Sequence, residues 1–208
     1  MPAKQTASNA VNARKTPAQQ RSLITVAAIL EAAARILETE GLGAYSTNAV
    51  AARAGVSIGS LYQYFPNKDS ITRALIRRNA EALLGDLRRV DCSAVPDGSM
   101  DALGQVVDVA VRHQLQRPEL ARLLDLEEMR LPVDEDLARA GQEAKSILAR
   151  CVRVTGRVAE RELAVVCGDL FAIVKGMVDS AGLGGEVNEK ALSRRVRRAV
   201  FGYLQWTS

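Results

Sequence analysis

An all-α fold is predicted by three features of the sequence. Ala, Leu, Val and Arg dominate a chain that is 48% hydrophobic but only 4% aromatic, a composition that favours helices over sheets. Apolar residues recur at the three- and four-residue spacings of a helical face. Caps, Pro and Gly punctuate these runs at helix-length intervals. With 208 residues the chain can bury a full core, as one compact domain or as a small domain joined to a larger one.

Residues 1–15 are rich in Ala, Asn and Thr, carry Lys4, Arg14 and Lys15, and read as a disordered basic tail. Thr16-Pro17 then forms a helix start with an N-cap and an N1 proline. Leu23, Ala27, Leu30, Ala34 and Leu37 mark one face until Gly41 closes the segment. Thr47 reads as the cap of a short helix to Ala54, with Val50, Ala51 and Ala54 on its inner face. Gly55 ends it, since a residue without Cβ takes a positive φ at little cost, and Val56 plugs the angle to the next helix. Ser57 caps that helix. Its inner side is Leu61 and Phe65, and Ile58, Gly59, Ser60, Tyr62, Gln63 and Tyr64 are left on or near the outer faces. Two short helices joined at a glycine form a helix-turn-helix, whose second helix fits a DNA major groove.

Pro66-Asn67 breaks this helix, and a longer one starts near Lys68, carrying Ile71, Leu75, Leu83 and Leu87 to about Val90. At 1.5 Å per residue it spans roughly 30 Å, enough to leave the helix-turn-helix and enter a second domain. Asp91 to Ser99 reads as a loop. A helix with Leu103, Val106, Val107 and Ala110 follows to about Gln116, and Pro118 opens a short one with Leu120, Leu123 and Leu124. Asp134 caps a helix through Leu137, Gly141, Ala144, Leu148 and Cys151 that ends near Gly156. From Glu160 to about Ala181 the apolar surface is too wide for a simple surface helix. After a loop with Gly182, Gly184 and Gly185, Asn188 caps the last helix, with Leu192, Val196, Val200, Tyr203 and Leu204. These two final helices either complete an intramolecular bundle or form half of an intersubunit one.

Charge is unevenly placed. The net charge is +4, but up to Arg78 there are ten Lys and Arg against four Asp and Glu, and beyond it eighteen against twenty. The basic excess therefore sits in the segment with the helix-turn-helix, where a polyanion would bind. No apolar run approaches the roughly 18 residues of a membrane span, and no signal-peptide core is evident, so no membrane association and a cytoplasmic location are expected. Cys92, Cys151 and Cys167 are odd in number and lack a CxxC pair, so reduced, largely buried thiols are expected, with redox sensing the alternative. No GxSxG, HExxH, P-loop or dinucleotide fingerprint is present. The chain is expected to be no enzyme and to have no cofactor and no metal. His113, the single histidine, reads as a surface or locally hydrogen-bonded imidazole, and the acidic groups Asp125, Glu127, Glu128 and Asp134 to Asp136 as solvated.

Thr47, Val50-Ala51, Ala54 to Ser57, Gly59 to Tyr62, Tyr64-Phe65 and Lys68 resemble, without gaps, the DNA-binding motif of the tetracycline-repressor (TetR) family of transcriptional regulators. With flanking helices the resemblance covers roughly residues 20 to 80. It implies an N-terminal three-helix helix-turn-helix DNA-binding domain (16–66) and a larger C-terminal helical ligand-binding and dimerisation domain (67–208). It further implies a homodimer on double-stranded DNA with a palindromic operator, repression by blocking polymerase, and release by a small-molecule effector. The alternative is control by a partner protein or by cysteine oxidation.

Carried over by motif position, Ser46, Thr47, Ser60, Tyr64 and Lys68 are expected to bind phosphate, and Asn48, Ile58, Gly59, Tyr62 and Gln63 to face the groove. Gln63 can pair bidentately with adenine and Ile58 can contact a thymine methyl. The basic tail is either solvated or an arm into the minor groove, and Arg21 either touches phosphate or is an ordinary exposed cation. A ligand pocket is expected among Leu83, Leu87, Val106, Val107, Ala110, Leu123, Leu124, Met129 and Leu148, each of which also suits plain core. A four-helix dimer interface is expected at Leu163, Val166, Leu170, Val174, Met177, Leu192, Val196, Val200 and Tyr203, with Arg194, Arg195, Arg197 and Arg198 as a solvated face.

Overall fold

The computed structural model describes residues 17–132 and 134–205; the basic tail and the Thr16 cap lie outside the described residues. These fold as α-helices with one 3-10 turn and, among the described residues, no strand. The all-α expectation holds.

Helix α1 (Pro17–Ala44) is broken at Gly41. Its apolar face begins later than the spacing predicts. Ile29, Ala33, Ile36 and Leu37 are buried, whereas Leu23 is 53% exposed and Ala27 is exposed too. The helices that pack on α1 cover only its C-terminal half. Helix α2 (Thr47–Ala54) is capped by Ser46, whose Oγ accepts from the Ala49 amide at 3.2 Å. The cap is thus one residue before the expected Thr47. Ser46 has the extended backbone of a cap, and the Thr47 hydroxyl instead pairs with the Tyr62 hydroxyl at 3.3 Å. Gly55 takes φ 69°, and the Val56 amide donates to the Ala51 carbonyl at 3.1 Å, closing the helix as a C-terminal glycine does.

Helix α3 (Ile58–Tyr64) is capped by Ser57. Helix α4 (Lys68–Leu87) opens on a reciprocal capping box between Asn67 and Ser70. Next come α5 (Asp101–Gln116), α6 (Pro118–Arg130) with proline in its first turn, and α7 (Glu135–Val154) capped by Asp134. Last are α8 (Leu163–Leu183) and α9 (Glu189–Gln205), the latter held by Asn188 Oδ1 accepting from the Ala191 amide at 3.0 Å.

Two hydrophobic cores result. One joins α1, α2, α3 and the first half of α4 through Ile36, Val50, Leu61, Phe65, Ile71 and Leu75, and α6 adds Leu120, Leu123 and Leu124 to it, with Leu131 just past its end. The other is built by the far end of α4 together with α5, α7, α8 and α9. Helix α4 therefore serves both cores, and α6, part of the first, also packs on α5 and α8. Ion pairs reinforce the α6 attachment: Arg117 forks onto Glu38 of α1 at 2.8 and 3.0 Å, and Arg130 reaches Asp69 of α4 at 2.6 Å.

One expectation about the cysteines is corrected. Cys92, in the 3-10 turn Cys92–Ala94 after α4, is disulfide-bonded to Cys151 of α7, their Cα atoms 5.3 Å apart. Fifty-nine residues separate the partners, so no local spacing announces the pair. Cys167 is free and buried, and burial pushes its thiol pKa up. No described helix is long and apolar enough to cross a membrane.

Candidate nucleic-acid interface and internal cavity

The helix-turn-helix presents its expected outer face to solvent. Leu61 and Phe65 are buried, while Ser46, Asn48, Gly59, Gln63 and Lys68 are exposed. Ile58 and Tyr62 are 38% and 50% exposed, large side chains open to solvent on this face. Thr47, Ser60 and Tyr64 are half-buried. Ser60 donates its amide to Ser57 Oγ at 3.0 Å and shares a 2.8 Å hydroxyl contact with it, so its hydroxyl is partly engaged in capping. Tyr64 packs against the core below.

Lys68 makes no salt bridge among the described residues. Its ammonium lies 5.6 Å from the centre of the Tyr45 ring, a cation–π contact that aims it without neutralising it. Tyr45, which the sequence reading passed over, tethers the segment between α1 and α2 to α4. Its hydroxyl meets Thr72 Oγ1 at 3.2 Å, and burial pushes its phenol pKa up to about 12. Asp69, beside Lys68, is held below the usual carboxylate range by its hydrogen bond from Arg130. Free positive charge thus remains at the start of α4, where backbone amides also point outward.

A cavity of about 300 Å³ lies between α4, α5, α6, α7 and α8. Leu83, Leu87, Val106, Ala110, Leu124 and Leu148 line it. Three other expected lining residues do not. Val107 and Leu123 are packed into the two cores, and Met129 stands 72% exposed on the outer side of α6. The polar lining was missed: Asn79, His113, Gln114, Asp125, Glu128, Lys175 and Asp179 all reach the cavity. One signal was available, because Lys175 and Asp179 interrupt the long apolar run of α8 at a four-residue spacing.

Asp125 is half-buried rather than solvated. Burial pushes its carboxyl up to about 6, against the lowering effect of a 2.7 Å hydrogen bond from Gln114 Nε2. Lys175 bonds Asp179 at 2.9 Å and approaches Glu128 at 3.4 Å. Burial would lower its pKa, but these carboxylates outweigh burial and raise it. His113 faces Asn79 Oδ1 at 3.1 Å, and burial lowers its pKa, favouring a neutral imidazole that donates from Nε2. Among the described residues no cluster of His, Cys, Asp or Glu suits a metal ion.

Gly182 of α8 makes room for this network. A Cβ there would sit 2.3 Å from Gln114 Nε2 and 3.2 Å from its Cδ, and Gln114 is itself buried. Gly182→Ala is therefore expected to destabilise the fold by about 1–3 kcal/mol through overpacking. Gly85→Ala on α4, whose Cβ would meet nothing within 4 Å among the described residues, is expected to stabilise by up to about 1 kcal/mol through helix propensity. Urea unfolding of the two variants checks the opposite signs.

The apolar residues expected at a dimer surface are mostly covered by their own chain. Leu163, Val166, Leu170, Leu192, Val196 and Val200 are buried where α8 and α9 pack on α5 and α7, so they cannot meet a partner. Val174 lines the cavity, Met177 is half-buried against the core, and Tyr203 donates its hydroxyl to Asp169. Solvent instead meets Val165, Ala172, Gly176 and Leu183 on α8, with Val187 just after it. Of the four arginines of α9, Arg197 is not solvated but pairs with Asp108 over Gly104.

Residues 29–75, from the buried half of α1 into the second turn of α4, match the family described as "Bacterial regulatory proteins, tetR family". A TetR-family transcriptional regulator from Streptomyces coelicolor is 26% identical, with a TM-score of 0.64 over 88% of this chain and 99% of that one. A TetR transcriptional regulator from Rhodococcus sp. RHA1 is 25% identical, with a TM-score of 0.65 over 91% of this chain and all of that one. The nucleoid occlusion factor SlmA of a Marinomonas strain is 25% identical over 72% of this chain and 79% of its own. The motif, the nine-helix architecture of the described residues and these similarities agree: residues 29–75 are a DNA-binding domain of the tetR family of bacterial regulatory proteins, and the chain is a DNA-binding transcriptional regulator.

Proposed function

We propose that this regulator is a cytoplasmic, homodimeric repressor that leaves a palindromic operator when a small molecule enters the cavity. The observation that carries this reading is the shared walls. Ile76, Leu83 and Leu87 of α4 and Leu124, Asp125 and Glu128 of α6 line the cavity, and the same two helices complete the core beneath α2 and α3. A ligand that favours one spacing of α4 and α6 biases the placement of α3, as any ligand with unequal affinity for two states must. The Arg130–Asp69 pair ties the end of α6 to the first turn of α4, next to Lys68.

Ser46, Thr47, Ser60, Tyr64 and Lys68 are assigned to phosphates, and Asn48, Ile58, Gly59, Tyr62 and Gln63 to base edges. Residues 16–66 form the reading head and 67–208 the regulatory and dimerisation part. Two reading heads about one helical turn of DNA apart, roughly 34 Å, call for a palindrome. The outward face of α8, with Val165, Ala172, Gly176 and Leu183, is assigned to the two-fold contact.

Binding to DNA from the gene's own upstream region, followed by fluorescence anisotropy across salt concentrations, tests the assignment. Lys68→Ala is expected to weaken operator and random DNA alike and to reduce the salt slope by about 1.8, one phosphate contact at roughly 0.9 being lost from each protomer of the dimer. Gln63→Ala is expected to cost about 1–3 kcal/mol per half-site on the operator alone. Equal losses on both DNAs for both variants would refute the division into phosphate and base contacts. A second reading, control by cysteine oxidation, draws on the Cys92–Cys151 bond, which clamps the turn after α4 to α7.

A further inference from the structure

The cavity is not uniformly apolar, and its polarity is concentrated at one end. Leu83, Leu87, Val106, Ala110 and Leu148 form the apolar part. The polar lining contributed by α6 and α8 is three carboxylates, Asp125, Glu128 and Asp179, and one ammonium, Lys175. Lys175 is already taken up by Asp179 at 2.9 Å and Glu128 at 3.4 Å. Asp125 has only the neutral Gln114 amide as its hydrogen-bond partner, at 2.7 Å. From α5 the facing groups are Gln114 and His113, the latter held neutral by burial. From α4 the polar group is Asn79, and the lining residues of α7 carry no titratable side chain. With all carboxylates ionised, this end holds an excess of two negative charges.

We propose that the effector is an apolar cation, an aliphatic amine or quaternary ammonium whose charge sits against Asp125 and Glu128 and whose hydrocarbon fills the space between α4, α5 and α7. This rests on the reading of the cavity as the effector site. An anionic amphiphile fits poorly: its head group would meet three carboxylates, and the ammonium that could attract it is already paired. A neutral ligand would leave the half-buried Asp125 carboxylate without an ion pair of its own, because Lys175, which acts on it only at a distance, is held by Asp179 and Glu128. The volume, about 300 Å³, suits roughly ten non-hydrogen atoms, at about 30 Å³ for each small group as for a water molecule.

A consequence follows for pH. Asp125 is pushed up to about 6, so much of it is protonated below that pH. A cation prefers the ionised carboxylate, so its binding releases a proton in acid and its affinity rises as pH increases through 6. Without ligand the sign is the reverse of a salt-bridged acid. A raised folded-state pKa means that Asp125 costs stability as pH rises from the ordinary carboxylate range through 6.

Calorimetric titration of the full chain with octyltrimethylammonium, octanol and octanoate tests the proposal, because the three share a chain and differ in head group, and the quaternary head does not titrate. The cation is expected to bind at least tenfold tighter than octanol at pH 7.5, and octanoate most weakly. Lowering the pH to 5 is expected to cost the cation about tenfold, as a site of pKa about 6 becomes roughly nine-tenths protonated. Asp125→Asn is expected to remove that pH dependence and about tenfold of the cation's affinity at pH 7.5. Glu128→Gln, which leaves the Asp125–Gln114 hydrogen bond in place, is expected to weaken the cation several-fold. If octanol or octanoate binds as tightly as the cation, the charge assignment is overturned while the cavity remains an effector site. If none of the three binds, both fall.

Discussion

Leu61→Ala is expected to remove operator binding by dissolving the reading head rather than by deleting a DNA contact. Leu61 is fully buried and is the one buried residue of α3. Seven residues cannot sustain a helix in water on propensity alone; α3 exists because Leu61 anchors it in the core that it shares with α1, α2, α4 and α6. Truncating a buried leucine costs about 2–5 kcal/mol, transfer and residual cavity together, comparable to the whole stability of a small domain. The loss should be local first. Amide exchange in residues 46–65 is expected to accelerate before the melting of the C-terminal core changes, and operator affinity to fall with it. Tyr62→Ala is the control. At 50% exposure it is expected to change stability by less than about 0.5 kcal/mol yet still weaken operator binding. A Leu61→Ala protein that exchanges and binds like the parent would show that α3 is held by something other than this core.

This contrast also marks what the sequence made legible. The reading head is written in consecutive residues: Ser57 as cap, Gly55 at the turn, and Leu61 and Phe65 one helical turn apart all act within a few positions, so local rules recover them. The error there, Thr47 for Ser46 as the cap, is a shift of one residue between two good capping side chains. The acidic end of the cavity was not legible, because Gln114, Asp125, Glu128, Lys175 and Asp179 come from three helices and become one group only when α5, α6 and α8 converge. Read along the chain, Asp125 and Glu128 belong to an ordinary acidic stretch. The Cys92–Cys151 bond is hidden for the same reason. On α8 the failure is different in kind. Apolar residues surround most of the helix, and periodicity cannot say which of two apolar faces meets its own chain. The larger side chains, Leu163, Val166 and Leu170, went to the internal core, leaving a shallower face of Val165, Ala172 and Gly176 outside.

Gly176→Arg on that outer face is expected to separate the protomers while leaving each one folded. A Cβ at Gly176 would meet nothing within 4 Å among the described residues, and an exposed helical position tolerates arginine well; the variant protomer should therefore keep its helix content, any fall in melting temperature reflecting only the lost association. In a two-fold contact the same residue faces the same region of its mate, so each arginine would meet the other, or its close neighbours, in a space sized for hydrogen atoms. Overlap and the desolvation of like charges both oppose association. Loss of the dimer turns one bivalent binding event into two independent ones. Affinity for the full palindrome is expected to drop by about 10² or more, while affinity for an isolated half-site stays unchanged. Sedimentation at micromolar concentration and titration of full and half operators read both effects. A variant that still sediments as a dimer would move the contact away from the centre of α8, towards Val187 and the exposed arginines of α9. A variant that dissociates but keeps full operator affinity would show that the two reading heads do not need each other.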